Sequence, residues 1–583
     1  MASMFFTRGG TNLITTENTV IQIDCEDCKE SLSSVFMSNR CLKCVKGKDY
    51  DRLRLKSKLF TKEYDKHNKL LTVIPFFIDV RLGVITEKVK VVSSYTIERT
   101  GAKVYILQRL ENLGYIYYIK IPEVSVTFQQ LFKFYDEVAE FKKNGETKNQ
   151  FIKRWYLEYG ILEHLLFDDK VLEININPPG YKTAMRIVHA DFDECISNIY
   201  PTDDLLNYLA TRLKISTGRP LNKAQPQLDG EIVIDHEKGR VAAIINPFSV
   251  FGTGYSIRKH RNKPWTMPLF MSVKCINPWF CGLLSLAIMH GRTFLCAGPR
   301  GSGKTALLGS LLLEILPKYR IITIEDTQEL PIEAYKRLGY DILPLKVRSA
   351  LLEHGMEMPF DTGLRTSLRL GDSCLIIGEI RSKEAIVLYE AMRVGAMSNC
   401  VGGTIHGDSP YGVFDRVVND LGVPRGSFKV TDLIIIVNQI KSPTGLKRVR
   451  RVLSVTEVTK HWQDEPEFQD LLMYSPTKDT LEPTDFLLKG KSLVLNEILK
   501  RSQGYKNYGA VLKDLELRGW SKKMHLEMAP TKDHLEAEYL STANIIFANL
   551  FDQFDPLGSA AKEKKFKEEF VKGLKKVFYN KKK

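Results

Sequence analysis

Apolar positions gather into short, nearly unbroken runs through the second half of the chain. Between about 270 and 460 they read RTFLCAG, RIITIE, SCLIIGE, CVGGTIH and LIIIVNQI, with helical stretches such as KTALLGSLLLEIL and SKEAIVLYEAMRV between them. Runs of Val, Ile and Leu without polar alternation predict strands buried on both faces. The helical stretches between them predict a parallel sheet covered on both sides. Residues 151–262 carry another pattern: LEININPPG predicts a strand entering a turn, and GEIVIDHEKGRVAAIINP alternates about a polar turn and predicts a hairpin. The prolines of NKPWTMP mark a boundary.

Upstream, the pattern is more broken. KVYILQRL and YIYYIKI read as strands and FQQLFKFYDEVAEF as a helix, whereas KGKDYDRLRLKSKLFTKEYDKHNK is basic, lacks an apolar period and reads as a linker. Beyond about 465 the chain turns helical and charged. There is no internal repeat, and only the lysine-rich end is of low complexity. The patterns predict an α/β protein in five segments: a cysteine module and linker at 1–60, a mixed α/β extension at 61–150, an α/β domain at 151–262, a P-loop domain at 263–465 and a helical region with a basic tail at 466–583. A chain of 583 residues is too long for one core, which agrees with several domains.

Composition adds a bias but no function. With 44% hydrophobic and 26% charged residues the chain is ordinary globular material. The formal net charge of +15 favours acidic partners, either nucleic acid or an anionic membrane face. No apolar run reaches the roughly 18 residues of a transmembrane helix, and the first residues lack a signal-peptide core. The expectation is a cytoplasmic protein whose membrane contact, if any, is peripheral. Ten cysteines, six of them scattered, do not make a disulfide scaffold and suit a reducing compartment.

The chemistry begins after RTFLCAG. Gly298-Pro-Arg-Gly301-Ser302-Gly303-Lys304-Thr305 fits G-x-x-x-x-G-K-[ST] between a strand and an amphipathic helix. Glycines let backbone N–H groups turn toward phosphate oxygens, and the helix points its positive end at the anion. Lys304 is expected to reach the β- and γ-phosphates of ATP, and the Thr305 hydroxyl to be a ligand of Mg²⁺, which prefers hard oxygens. Two later strands end in acids: YRIITIEDTQEL in Glu325 and Asp326, SCLIIGEIRS in Gly378 and Glu379. A carboxylate at the carboxyl end of a buried strand faces the crevice where α/β sheets bind ligands. There it can orient water or hold Mg²⁺. An Asp would more often stand at 378. His406 follows another apolar strand and is either structural or a neutral sensor of the γ-phosphate. Gly402, Gly403 and Gly407 beside it imply close backbone approach.

In this order, the motifs resemble those of the secretion-superfamily ATPases that power type II secretion, type IV pilus assembly and the archaeal flagellum. The resemblance rests on the P-loop, TIEDTQEL, LIIGEIRSKEA and GGTIHGDS. The wording TIHGDSPYGVFDRVVNDLGVP looks like the archaeal branch. It covers about 90–460. It implies a RecA-like P-loop domain behind a mixed α/β N-terminal domain, a homo-hexamer, and an integral-membrane platform protein driven by ATP hydrolysis. By matching position it implies that Glu325 lies near the attacking water, that Glu379 acts with Mg²⁺, and that His406 and Arg416 form a pair. Arg219, Arg240 and Arg258 match arginines upstream of the P-loop. They act either as arginine fingers on transition-state charge or as ordinary ion pairs.

Two features fall outside the resemblance. Cys25-x-x-Cys28 and Cys41-x-x-Cys44, twelve residues apart, have the spacing of a small zinc ribbon, with a disulfide or redox pair as alternatives. Residues 562–583 hold ten lysines and three glutamates, and Phe566, Phe570, Leu574 and Phe578 form one helical face. That helix either lies on an anionic leaflet or packs on its own domain. The leading expectation is an ATP-driven motor of a pilus-like or secretion-like machine. The alternatives are a nucleic-acid motor of conjugation or helicase type, and a nucleotide-binding scaffold. A nucleic-acid motor needs a charged or aromatic track; the P-loop region shows no obvious one, although LKRVRR at 446–451 is basic, so nucleic acid is not the expected partner.

Overall fold

The computed structural model describes the backbone of short strands between Val20 and Leu82. It then describes residues 85–579, with breaks chiefly at 122–153, 348–357, 395–399 and 442–447. The chain forms two compact units that divide between Arg261 and Asn262.

In the first unit, nine described strands form one sheet. Their order is Gln227–Ile234, Glu237–Ile244, Gly254–His260, Val171–Ile176, Arg186–His189, Asp193–Ser197, Tyr115–Lys120, Ala102–Arg109 and Val89–Ile97. The first two are the expected hairpin, paired antiparallel. Helix Asp203–Thr217 starts where the Thr202 hydroxyl accepts the Leu205 N–H at 3.2 Å and stops at Gly218, which takes φ 64°. It buries Leu206, Leu209 and Leu213 at helical spacing, each contributing roughly 1.5–3 kcal/mol.

The segment read as a linker is instead strand. Arg52–Lys56, Phe60–Asp65 and Leu70–Pro75 join Val20–Asp24 in a four-stranded sheet. RLRLK alternates with period two, but its polar positions are all basic and resemble a charge run. The four clustered cysteines, Cys25, Cys28, Cys41 and Cys44, and the stretch FQQLFKFYDEVAEF lie outside the described residues.

The second unit is built on another nine-stranded sheet, in the order Ile342–Lys346, Ile321–Glu325, Cys374–Ile380, Val401–Ile405, Phe294–Ala297, Leu433–Lys441, Arg448–Val458, Phe468–Ser475 and Thr480–Pro483. The strands from Ile342–Lys346 through Leu433–Lys441 run parallel. The remainder return antiparallel. Successive residues of one strand feed two cores on opposite faces. Phe294, Cys296 and Ile321 enter one core, and Leu295, Ala297 and Ile322 the other. That is the double burial expected of these runs. The boundary expected at 465 precedes two strands, Phe468–Ser475 and Thr480–Pro483, that continue the same sheet, and their polar positions read poorly as apolar runs.

Beyond the sheet the described chain is helical. In helix Tyr508–Met528, Lys522 Nζ lies 2.9 Å from Glu314 Oε2, with both side chains almost wholly buried. Glu314 follows the helix Lys304–Leu312, so this ion pair ties the C-terminal helices to the back of the phosphate-loop helix. Among the described residues no helix is long and apolar enough to cross a membrane. The last helix, Ala560–Tyr579, buries Phe566, Phe570, Leu574 and Phe578 against Leu517, Ala543 and Phe547. Its apolar face is therefore spent inside its own unit, which removes the leaflet-lying reading of the tail. Only its lysine face is left to solvent.

Candidate active site

Phosphate-loop strand Phe294–Ala297 is buried throughout and delivers the loop at its carboxyl end. Gly301 and Gly303 take φ 77° and 97°, which a side chain would strain, and Gly303 caps the helix Lys304–Leu312. Lys304 is buried, and its Nζ donates to the Gly298 and Pro299 carbonyls, both at 3.0 Å. Burial lowers its pKa, an effect that Glu379 opposes. The Ser302 hydroxyl is buried with no partner among the described residues.

Thr305 shares a narrow cavity of about 10 Å³, room for about one water, with Glu325, Asp326, Thr327, Glu329, Gly378, Glu379 and Arg381. The acids reach it because their strands, Ile321–Glu325 and Cys374–Ile380, are parallel neighbours. The two carboxyls are held differently. Glu325 is almost fully buried, and its Oε1 accepts from the N–H groups of Glu329 at 3.0 Å and Leu330 at 3.2 Å. Its Oε2 has no partner among the described residues. Burial pushes this carboxyl up to about 8, against the pull of those N–H groups. Burial would also raise Glu379. Arg381, His406 and Lys304 outweigh it and hold Glu379 below the usual carboxylate range. Arg381 is bonded to Glu379 Oε2 through Nη2 and reaches Asp326 Oδ2 at 2.8 Å through Nη1.

Residue 378 is glycine for a steric reason. A Cβ there would stand 2.8 Å from Glu325 Cγ. Glu325 thus fills the space beside strand Cys374–Ile380 that an Asp at 378 would need.

The raised Glu325 pKa has a measurable consequence. The folded protein favours the protonated acid, so this contribution to stability is complete below the ordinary 4.5 and is lost as pH rises through about 8. The expected size is on the order of a few kcal/mol. Urea unfolding of nucleotide-free protein should show Glu325→Gln gaining on the parent between pH 5 and 8.5. An equal pH slope in both proteins would mean that Glu325 is ionised.

His406 places Nε2 2.8 Å from Glu379 Oε1. Burial and Lys304 hold its ring below the ordinary histidine value, so it is neutral at pH 7. His406 and Arg416 line an open cleft of about 350 Å³ with Pro299 and three acids, Asp408, Asp415 and Asp420. Arg416 Nε is buried without a partner among the described residues, and Nη1 is 3.6 Å from Asp420 Oδ2. The close approaches at the nearby glycines are made by side chains: a Cβ on Gly402 would meet Phe294 Cζ at 2.3 Å, and one on Gly407 would meet Val413 Cγ2 at 2.7 Å.

Arg219, Arg240 and Arg258 belong to the first unit. Arg240 and Arg258 are cross-strand partners, and Arg258 Nε is 3.7 Å from Glu173 Oε2. Arg219 Nη1 donates to the Asp229 carbonyl at 3.2 Å. Sequence reasoning did not single out Arg381, Gln439 or Arg450. Gln439 Nε2 and Arg450 Nε both donate to the Gly301 carbonyl, at 2.8 and 3.1 Å. Next to it, Arg451 is spent on a two-pronged pair with Asp479 at 2.7 and 2.9 Å. Within the basic run at 446–451, Arg451 is therefore taken up by the fold.

Among the described residues no cluster of three His, Cys, Asp or Glu side chains would hold a metal unaided. The Thr305 hydroxyl and the Glu379 carboxylate are hard oxygens around one cavity. They fit Mg²⁺ that also takes ligands from nucleotide phosphates.

Comparison with known proteins agrees with the motifs. An uncharacterized protein of the archaeon Methanocaldococcus jannaschii is 28% identical over 402 residues, 67% of this chain and 68% of that protein. The type IV secretion system protein PtlH of Bordetella pertussis is 35% identical over 135 residues, 21% of this chain and 38% of that protein. The X-ray structure of the Legionella pneumophila ATPase DotB aligns at 15% identity and a TM-score of 0.36, covering 60% of this chain and 89% of that one. The family model for type II/IV secretion system proteins matches residues 173–463. Through those residues the chain belongs to the type II/IV secretion system protein family.

Proposed function

We propose that the chain is an ATP-hydrolysing motor. It would use Mg-ATP to drive domain motion in a machine that assembles a type IV pilus-like filament or exports protein in the manner of type II secretion. The observation that carries the reading is the convergence of Thr305, Glu325 and Glu379 on one cavity, with Lys304 bonded to the loop beside it. A site that only binds nucleotide has no need of two acids on neighbouring strand ends. Family membership supports the secretion context.

Gly298, Gly301, Ser302, Gly303 and Lys304 would hold the phosphates. Thr305 and Glu379 would hold Mg²⁺, which supplies neutralisation of charge developing on the transferred phosphoryl group. Glu379 is the ionised acid and therefore the one able to orient the attacking water in the protein as it stands. Glu325 can share that role only after losing its proton. His406, neutral, would steady Glu379. Arg416 would face the phosphates across the cleft, and Arg219, Arg240 and Arg258 are candidates for neutralising transition-state charge. A hexamer acting on a membrane platform protein, from the cytoplasmic side, follows from the resemblance.

The test is phosphate release by the purified chain, together with its mass with and without ATP. Mg-dependent hydrolysis and a nucleotide-favoured ring of six are expected. Nucleotide binding without hydrolysis would leave a scaffold. Salt-sensitive stimulation by DNA or RNA would point to a nucleic-acid motor.

A further inference from the structure

The phosphate loop has a second wall, on the side away from the acids. In the sheet, strand Phe294–Ala297 lies between Val401–Ile405, which leads to His406, and Leu433–Lys441. Leu433–Lys441 pairs in turn with Arg448–Val458, and in that ladder Gln439 stands directly opposite Arg450. Both side chains reach the same carbonyl, that of Gly301 at the crown of the loop. Arg450 spends only Nε there. Among the described residues no carboxylate lies within ion-pair distance of its guanidinium, and the side chain is exposed. The neighbouring Arg451 is a contrast, an arginine used only to hold the fold together. It is buried, with Nε, Nη1 and Nη2 all bonded. An arginine fixed by one nitrogen at a phosphate loop, with two NH₂ groups left over, is a cation held ready for an anion.

We propose that Arg450 is a nucleotide-binding residue. Nε is anchored on Gly301, and the remaining N–H groups bind the polyphosphate of a nucleoside di- or triphosphate seated on the loop. Gln439 positions it by sharing the Gly301 carbonyl. This inference rests on the nucleotide reading of the site. It goes beyond it by closing the loop from the side opposite Glu379. It also separates two kinds of residue. Arg450 would act on bound nucleotide before and after hydrolysis alike, so it would govern affinity. Glu379 would govern the chemical step.

The experiment titrates the full chain with fluorescent ADP and with a non-hydrolysable fluorescent ATP analogue, using the parent, Arg450→Gln, Arg450→Lys and Lys304→Ala. Losing a charged hydrogen-bond donor should weaken both nucleotides about tenfold in Arg450→Gln. KM for ATP should rise to match, and kcat should change far less. Arg450→Lys keeps the charge without the fork and should recover part of the affinity. Unfolding midpoints should agree among the Arg450 proteins, since the side chain is exposed. Unchanged affinity in Arg450→Gln, with Lys304→Ala unable to bind, would overturn the role of Arg450 and leave the nucleotide site standing. If Lys304→Ala also bound normally, the nucleotide reading itself would fall. A lysine variant as weak as the glutamine one would reduce Arg450 to a prop for Gly301 and overturn the contact with ligand.

Discussion

Lys304→Ala is expected to abolish nucleotide binding and turnover while the protein stays folded. Lys304 Nζ is held by two loop carbonyls, in a buried position at the start of the helix. A bound phosphate chain would exchange those neutral acceptors for anionic ones. Each charged hydrogen bond of that kind is worth roughly 1.5–3 kcal/mol. Its removal also leaves Glu379 and the phosphates facing each other with one cation fewer. Turnover should fall by about 10²–10³-fold or more, the scale of losing a preorganised electrostatic donor. The fold has little reason to fail. Alanine is the best helix former, and Leu307, Leu308, Leu311 and Leu312 still anchor the helix in the core. Nucleotide titration, phosphate release and the unfolding midpoint check the three parts separately. Turnover that survives the substitution would mean that phosphate does not sit on this loop.

Most of the second unit's parallel sheet was legible because burial on both faces leaves a signature of unbroken Val, Ile and Leu. Glu325 and Glu379 were legible for a related reason, since a charge at the end of such a run has few places to go except the crevice. Their different protonation was not legible. It depends on Arg381 and His406 gathering at Glu379 while Glu325 turns back onto the N–H groups of Glu329 and Leu330. The oddity at Gly378 was not legible either, because the neighbour that excludes a side chain there lies on a different strand, 53 positions earlier in the chain. Arg450 is a longer-range case, reaching a carbonyl 149 residues away through a cross-strand register. The strand Arg52–Lys56 was hidden by basic residues in the polar positions of its alternation. The tail shows the limit of amphipathicity. Phe566, Phe570, Leu574 and Phe578 predicted a helix with an apolar face, but no periodicity says whether lipid or Phe547 covers that face.

Glu379→Gln is expected to bind ATP normally and to hydrolyse it about 10²–10³-fold more slowly. Glutamine keeps the shape of the side chain and one oxygen that can accept. Arg381 still holds Asp326 at 2.8 Å, so the cluster should persist. The substitution removes the negative charge that faces Lys304 and the water-sized cavity beside Thr305. Binding should therefore be unchanged or slightly tighter, since a like charge near the phosphates has gone. The chemical step loses the carboxylate that Arg381, His406 and Lys304 hold ionised at the end of strand Cys374–Ile380. His406 should remain neutral, because Glu379 was raising its pKa and that pull is now absent. Single-turnover phosphate release beside a nucleotide titration checks the split. Equal loss of binding would make Glu379 a structural residue. Glu325→Gln sharpens the comparison. Glutamine imitates the protonated acid that burial favours at 325, so this variant should bind nucleotide as the parent does. If it hydrolyses ATP nearly as well, the water is oriented from strand Cys374–Ile380 alone. If it is as slow as Glu379→Gln, nucleotide binding must drive the proton off Glu325, and the loaded site then works with both carboxylates ionised.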